Sequence, residues 1–207
     1  EWSDIAFWEM GLLKGSDWKA EWIQPDIKED TSISNPVQML RKSFELQGEI
    51  KKARAYITCL GLYEMEINGQ KVGNQLFTPG WTSYHKRLQY QSYDVTELLK
   101  SGVNACGVYL GDGWYRGQIG WEDHRNHYGK KLALLAQIQI TYQDGSSEII
   151  STDETWKATT GPILMSDIYD GETYDARLEK NGWSSPDYND HNWSSVSTID
   201  HSKKILI

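Results

Sequence analysis

The sequence predicts an all-β fold, an antiparallel β-sandwich. Three observations carry this: apolar and polar residues alternate with period 2, turn signals separate the alternating runs, and helical periodicity is nearly absent. The clearest run is "YEMEINGQKVG", where Tyr63, Met65 and Ile67 alternate with Glu64 and Glu66 and lead into Asn68-Gly69. Asn-Gly supplies the positive φ values of a type I′ turn, whose twist matches that of the flanking strands, so a tight hairpin is expected. In a second hairpin Leu134, Ala136, Ile138, Ile140 and Tyr142 alternate with Gln137, Gln139 and Thr141 before Asp144-Gly145 turns the chain toward "SEIIS". That strand should have one buried and one wet face. Further strand-length runs are "LRKSFEL" (40–46), "ARAYITCL" (53–60), "LQYQSYDV" (88–95) and "NACGVYL" (104–110). The one helical hint is "DVTELLKSG", where Asp94 or Thr96 is placed to cap a single turn closed by Gly102.

The chain of 207 residues is long enough for one large all-β domain, alone or with an attached piece. A hydrophobic content of 39% and a charged content of 24% argue for a folded core rather than disorder. Ten Trp and twelve Tyr against three Phe suit surfaces where an aromatic ring keeps one wet edge, and large β-cores as well. The net charge of −8 opposes binding to a nucleic-acid backbone. No apolar run approaches the roughly 18 residues of a membrane span. Cys59 and Cys106 lie in apolar runs and read as buried thiols; a disulfide requires that the fold bring them to bridging distance. Without an initiating Met or an evident end, the sequence reads as a piece of a longer chain. "SDWKAEWI" reads as a strand opening a new domain, and the polar, proline-containing residues 24–37 as a connector or long edge loop.

Residues 111–128, "GDGWYRGQIGWEDHRNHY", have glycines at 111, 113, 117 and 120 that break any strand pattern and predict a loop. Trp114, Tyr115 and Trp121 offer flat apolar faces with a polar edge, a combination suited to a sugar ring. With Trp81, Asp123 and Asn126 the two tryptophans form the candidate sugar-binding set. The alternative is that these aromatics fold back and plug the end of the sandwich. "GDGWYRG" is not a phosphate loop, since no helix is expected after it and no lysine caps it. His124 and His127 read as loop histidines, because no metal-type ligand spacing surrounds them.

The segments "LGLYEMEINGQKVG", "TPGWTSYHKRLQYQ", "GDGWYRG" and "DIYDGETYDAR", in that order, resemble the N-terminal β-sandwich region of bacterial α-L-rhamnosidases of glycoside hydrolase family 78. The resemblance covers roughly residues 17–200. It implies a galactose-binding-like jelly roll over residues 38–200, preceded by an opening strand and connector at 16–37 and by the tail of a fibronectin-like domain at 1–15. Residues 201–207 would begin the linker to the next domain. It also implies an inverting hydrolase as parent, with acid and base on a later (α/α)6 barrel, so no catalytic residue is carried onto this chain. Related modules bind L-rhamnose through calcium; the loop residues here with suitable oxygens are Asn74, Asp112, Asp123 and Asn126, each equally a turn residue satisfying its own backbone.

Acids are dense in "SDIYDGETYDAR", where Asp167, Asp170, Glu172 and Asp175 invite reading as a catalytic pair. The alternation around an Asp170-Gly171 turn fits a tight hairpin better, with Arg177 available to pair an acid. Tyr169, Asp170, Glu172, Tyr174 and Arg177 are therefore the candidates for an interface with a partner domain. Three functions follow: an accessory domain supporting the barrel and substrate entrance, a carbohydrate-binding module with or without calcium, or a small self-contained glycosidase. No elbow-type Gly-x-Ser-x-Gly supports a hydrolase triad.

Overall fold

The computed structural model describes residues 3, 5, 6, 8–120 and 124–207. Alternating segments pair into an antiparallel sandwich whose elements are β1 (Trp22–Pro25), β2 (Gln38–Leu46), β3 (Ile50–Leu60), β4 (Leu62–Ile67), β5 (Gln70–Lys71), β6 (Gln91–Asp94), β7 (Gly102–Gly111), α1 (Gly113–Arg116), β8 (Ala133–Tyr142), β9 (Ser147–Ser151), β10 (Lys157–Thr160), β11 (Ile163–Asp167), β12 (Gly171–Tyr174) and β13 (Ser194–Ile199). One layer runs β6-β3-β8-β1, with β9 also on β8; the other runs β5-β4-β7-β2-β10. Strand β13 joins them, pairing Trp22↔Ile199 with β1 and Lys157↔Ser195 with β10. The hairpin β11–β12 is a separate two-stranded sheet.

Both expected turns form. Asn68 and Gly69 take φ of 51° and 80°, and the Asn68 amide side chain ties the hairpin to Asn104 and to the carbonyl of Leu98. At the second turn Gly145 has φ 87° and the Asp144 carboxylate accepts from Ser146. Asp94 accepts from the Thr96 N–H at the start of the short 3-10 turn at Thr96–Leu98. The inward residues of both layers, among them Leu40, Ile57, Met65, Val108, Leu134 and Ile138, form one core. Burying each such side chain stabilises the fold by about 1.5–3 kcal/mol. Cys59 and Cys106 are both buried free thiols, and burial raises the pKa of each.

The structure corrects three expectations. Gln137 is buried, not wet, because its Oε1 accepts from Lys19 and Ala20 N–H groups while its Nε2 donates to the Asp17 carbonyl. The strand expected over 88–95 is β6 alone, since Leu88 and Tyr90 instead bond to the backbone of residues 205 and 207. Through these bonds residues 205–207 lie against the body of the sandwich. Residues 24–37 begin inside β1 and continue as an edge loop, one of the two readings the sequence allowed, in which Asn35 and Val37 are buried. Finally, "GWYR" is a helical turn, α1. Gly113 opens it at φ 50°, and a Cβ there would run into Leu62.

Candidate functional site

Two features converge on the end of the sandwich where β4 begins and β7 finishes: a stack of aromatic rings and a groove beneath the β11–β12 hairpin. The groove has a volume of about 440 Å³. Its lining combines apolar Val37, Leu62 and Ile163 with polar Glu64, Tyr109 and Glu172. Leu76 and Phe77 complete the wall although they are 69% and 59% exposed. The loop bearing them is anchored by Thr78, whose hydroxyl donates to the Tyr63 carbonyl and whose carbonyl accepts from the Tyr63 N–H. Phe77 itself sits at φ 57°, where a bulky side chain is strained.

From Phe77 the aromatic stack continues to Trp114 at 5.9 Å and from Trp114 to Trp81 at 5.7 Å, nearly parallel at 6°. Trp81 donates from Nε1 to the Tyr128 hydroxyl at 3.1 Å, and Tyr128 packs on Tyr84. Trp114 therefore lies between two aromatic neighbours, Phe77 and Trp81. Trp81, 51% exposed, remains presented to solvent. Trp121 and Asp123 lie outside the described residues. Asn126 is half-buried at φ 63° and donates to the Thr31 carbonyl, which makes it a fastener between two loops.

Beneath the stack runs a buried charge network. Arg116, 1% exposed, donates from Nη1 and Nη2 to Glu29 at 2.6 and 3.0 Å and from Nε to Asp112 at 2.7 Å. Arg125 bridges Asp112 and Asp167, and Asp167 also accepts from the N–H groups of Gln118 and Tyr169. The network fixes the edge loop, α1 and the hairpin base relative to one another. Burial raises the Asp112 pKa, although Arg116 and Arg125 oppose it. Both Asp112 oxygens are held by guanidinium groups, so this site does not fit a calcium ion, which would have to displace them. Asn74 is exposed on the loop after β5. Among the described residues no group of three or more His, Cys, Asp or Glu has metal-holding geometry.

The hairpin expected over "SDIYDGETYDAR" is present, with Asp167↔Gly171 and Ser166↔Glu172 in register. Tyr169, Asp170, Glu172, Tyr174 and Arg177 are all exposed. Arg177 does pair an acid: its Nε and Nη2 donate to Asp175 at 2.8 and 2.6 Å, and this pairing lowers the Asp175 pKa. Asp167, by contrast, is buried in the network and unavailable as a general acid.

A family model described as the α-L-rhamnosidase N-terminal domain matches residues 48–207. The chain belongs to the α-L-rhamnosidase N-terminal domain family. An α-L-rhamnosidase of Formosa agariphila is 44% identical over 96% of this chain, and one of Streptomyces avermitilis is 44% identical over 82%. The chain spans only 22% and 16% of those relatives. Among solved structures, an Aspergillus terreus α-L-rhamnosidase superposes with a TM-score of 0.93 at 45% identity, covering 96% of this chain and 23% of that one. A Pleurotus ostreatus lectin shares the fold with a TM-score of 0.58 at 19% identity. These neighbours agree with the galactose-binding-like sandwich expected of a rhamnosidase N-terminal domain.

Within this rhamnosidase domain, sequence reasoning passed over Leu76, Phe77, Glu29, Arg116 and Arg125. The stretch "NQLFTPG" held a signal for the first two, because adjacent bulky apolar residues in a polar, proline-bounded loop have no strand in which to be buried. The charge network had no such signal: Asp112 and Arg116 are four residues apart, but Glu29 and Asp167 lie far from them in sequence and only the fold brings them together.

Proposed function

We propose that this domain is a non-catalytic accessory module of an α-L-rhamnosidase, packing against the catalytic barrel of its parent and helping to shape the substrate entrance during hydrolysis of terminal α-L-rhamnose by inversion. The observation carrying this reading is the exposed β11–β12 hairpin, which stands off the sandwich with Tyr169 and Tyr174 56% and 50% exposed. Tyrosine and arginine are favoured at interfaces, where a covered apolar body is combined with a hydrogen-bonding tip. The buried Arg125–Asp167 contact holds the hairpin base in one position, as a docking element requires. The test replaces Arg177 by Ala, or both tyrosines by Ser, in the full-length parent and in this chain. Reduced rhamnosidase activity or stability in the parent, with the melting temperature of this chain unchanged, supports docking; an unaffected parent refutes it.

A second reading, carbohydrate binding, is favoured by the solvent-facing Trp81, since indole faces stack well on sugar rings. It draws no support from a calcium site at Asp112.

A further inference from the structure

Residues 201–207 form a strap that leaves the end of β13 at Ile199, passes Trp22 and Ala20, and reaches the backbone of Leu88 and Tyr90. It has three anchors. At the far end the Leu88 N–H donates to the Ile205 carbonyl at 2.8 Å, the Ile207 N–H to the Leu88 carbonyl at 3.0 Å and the Tyr90 N–H to the Ile207 carbonyl at 3.2 Å, a short parallel bridge. Midway, Lys203 Nζ donates to the Ala20 carbonyl at 2.5 Å. At the near end the His201 ring stands edge-to-face on Trp22, with centroids 5.2 Å apart and planes at 83°. So short a ladder opens readily by itself, and the strap depends on its side-chain anchors.

The His201–Trp22 anchor is sensitive to a single proton. Trp22 is 1% exposed, and both its Nε1 and the His201 Nε2 are buried without a hydrogen-bond partner among the described residues. An indole N–H only donates, whereas an imidazole nitrogen accepts when it carries no proton and donates when it does. With its proton on Nδ1, the neutral ring sets an acceptor beside the indole donor. The imidazolium would instead bury a charged N–H with no acceptor beside a second unmatched donor, which costs far more. The surrounding charges do not offset this. Glu21 from the approach to β1, with Asp200 and Lys203 on either side of His201, lines an adjoining cavity of about 340 Å³, and His85 faces the ring from the loop before Leu88. Glu21 and Asp200 are both exposed, so water screens their attraction for the imidazolium. Burial first and His85 second hold His201 below the ordinary imidazole value, against the pull of Asp200. A group lowered in this way contributes its full docking strength above its free value, near 6.5, and loses it as pH falls below that.

We infer that His201 is a proton-operated latch: neutral, its ring stays on Trp22 and keeps the strap on Leu88 and Tyr90; protonated, it turns out through the cavity toward solvent and releases the strap. Mild acid thereby loosens residues 201–207 while the sandwich core stays folded.

The experiment is amide hydrogen exchange by NMR on the 207-residue chain between about pH 7.5 and about pH 5.5, corrected for intrinsic rates, with a parallel titration of the His201 ring. Protection at the Leu88, Tyr90 and Ile207 amides should fall several-fold toward the acid end, by at most about tenfold per pH unit, the limit for one proton. The ring should titrate below the ordinary imidazole value in the same interval, while core amides such as those of Ile57 and Leu134 keep their protection. In His201→Phe, which keeps a flat ring on Trp22 and takes up no proton, protection of the strap should stay level with pH. If that variant does not fold, the wild-type chain still decides, because ring titration and loss of protection must then coincide. A ring that titrates at or above the ordinary value, strap protection that stays level in the wild-type chain, or a loss that persists in His201→Phe each overturns the latch. Persistence in His201→Phe with disappearance in His85→Ala would give the role to His85.

Discussion

Phe77 holds a positive φ of 57° with its ring largely in solvent, so its strain is not repaid by burial. A left-handed conformation costs a non-glycine residue about 1 kcal/mol or more, whereas glycine adopts it freely. Phe77→Gly should therefore raise stability by about 1 kcal/mol, or roughly 2–4 °C in a domain of this size. Thermal melts check this; a lower melting temperature would mean that the ring's contact with Trp114 outweighs the strain. Asp190 is a residue of the opposite kind, wholly structural. It pairs with Arg41 and, at 2.9 Å, with Lys157, pinning the segment before β13 across β2 and β10. Burial alone would raise its pKa, but the hydrogen bonds from Lys157 and Arg41 prevail and lower it. A depressed carboxylate contributes stability above its unfolded value, near 3.8, and loses it as pH falls through the folded value. Urea midpoints should thus decline below about pH 4, and Asp190→Asn should flatten that decline while lowering the midpoint at neutral pH. An acid limb of unchanged steepness in the variant would assign the sensitivity to other carboxylates.

At the scale of elements, what could be read from the sequence was what depends on near neighbours. The β4–β5 and β8–β9 hairpins follow from Asn68-Gly69 and Asp144-Gly145, because turn chemistry and period-2 patterning act over a few residues. Gln137 defeats the same logic: its polar type says exposed, yet backbone groups at residues 17, 19 and 20 satisfy it inside the protein. The β11–β12 hairpin was legible as a hairpin, but its footing in the Arg125–Asp167 contact was not, since that pair spans 42 positions. Trp114 and Trp81 were legible as a candidate sugar surface, whereas their stacking on each other depends on how two distant loops meet. The hairpin's charges predict a division of labour. The Arg177–Asp175 pair lies at the surface, where solvent screens it and it adds little to stability. Arg177→Ala should then shift the melting temperature of this chain by no more than a degree or two, yet reduce the stability or activity of the full-length parent. Unfolding of this chain with parental catalysis intact would make the segment an internal corner of the sandwich.

For the molecule as a whole, catalysis by inversion sets a demand that can be checked against this fold. It needs one carboxyl kept protonated to deliver a proton and a second, ionised, about 6.5–9.5 Å away across a cleft that admits a water. Among the described residues, Asp112 is the carboxyl group raised by its surroundings, and it is 2% exposed and held by Arg116 and Arg125. It has no path to substrate. Asp170 and Glu172 lie open to solvent on the hairpin rather than across a cleft. The chain also covers only about a fifth of rhamnosidases such as that of Formosa agariphila, 22% of its length, leaving ample polypeptide elsewhere for the chemistry. The isolated domain should consequently show no hydrolysis of an aryl α-L-rhamnoside above the uncatalysed rate at any pH from about 4 to 8, the interval in which glycosidase carboxyl pairs are set to work. A chromogenic assay at high protein concentration checks this. Turnover that survives purification and disappears in Asp170→Ala or Glu172→Ala would place the active centre on the hairpin and end the accessory reading.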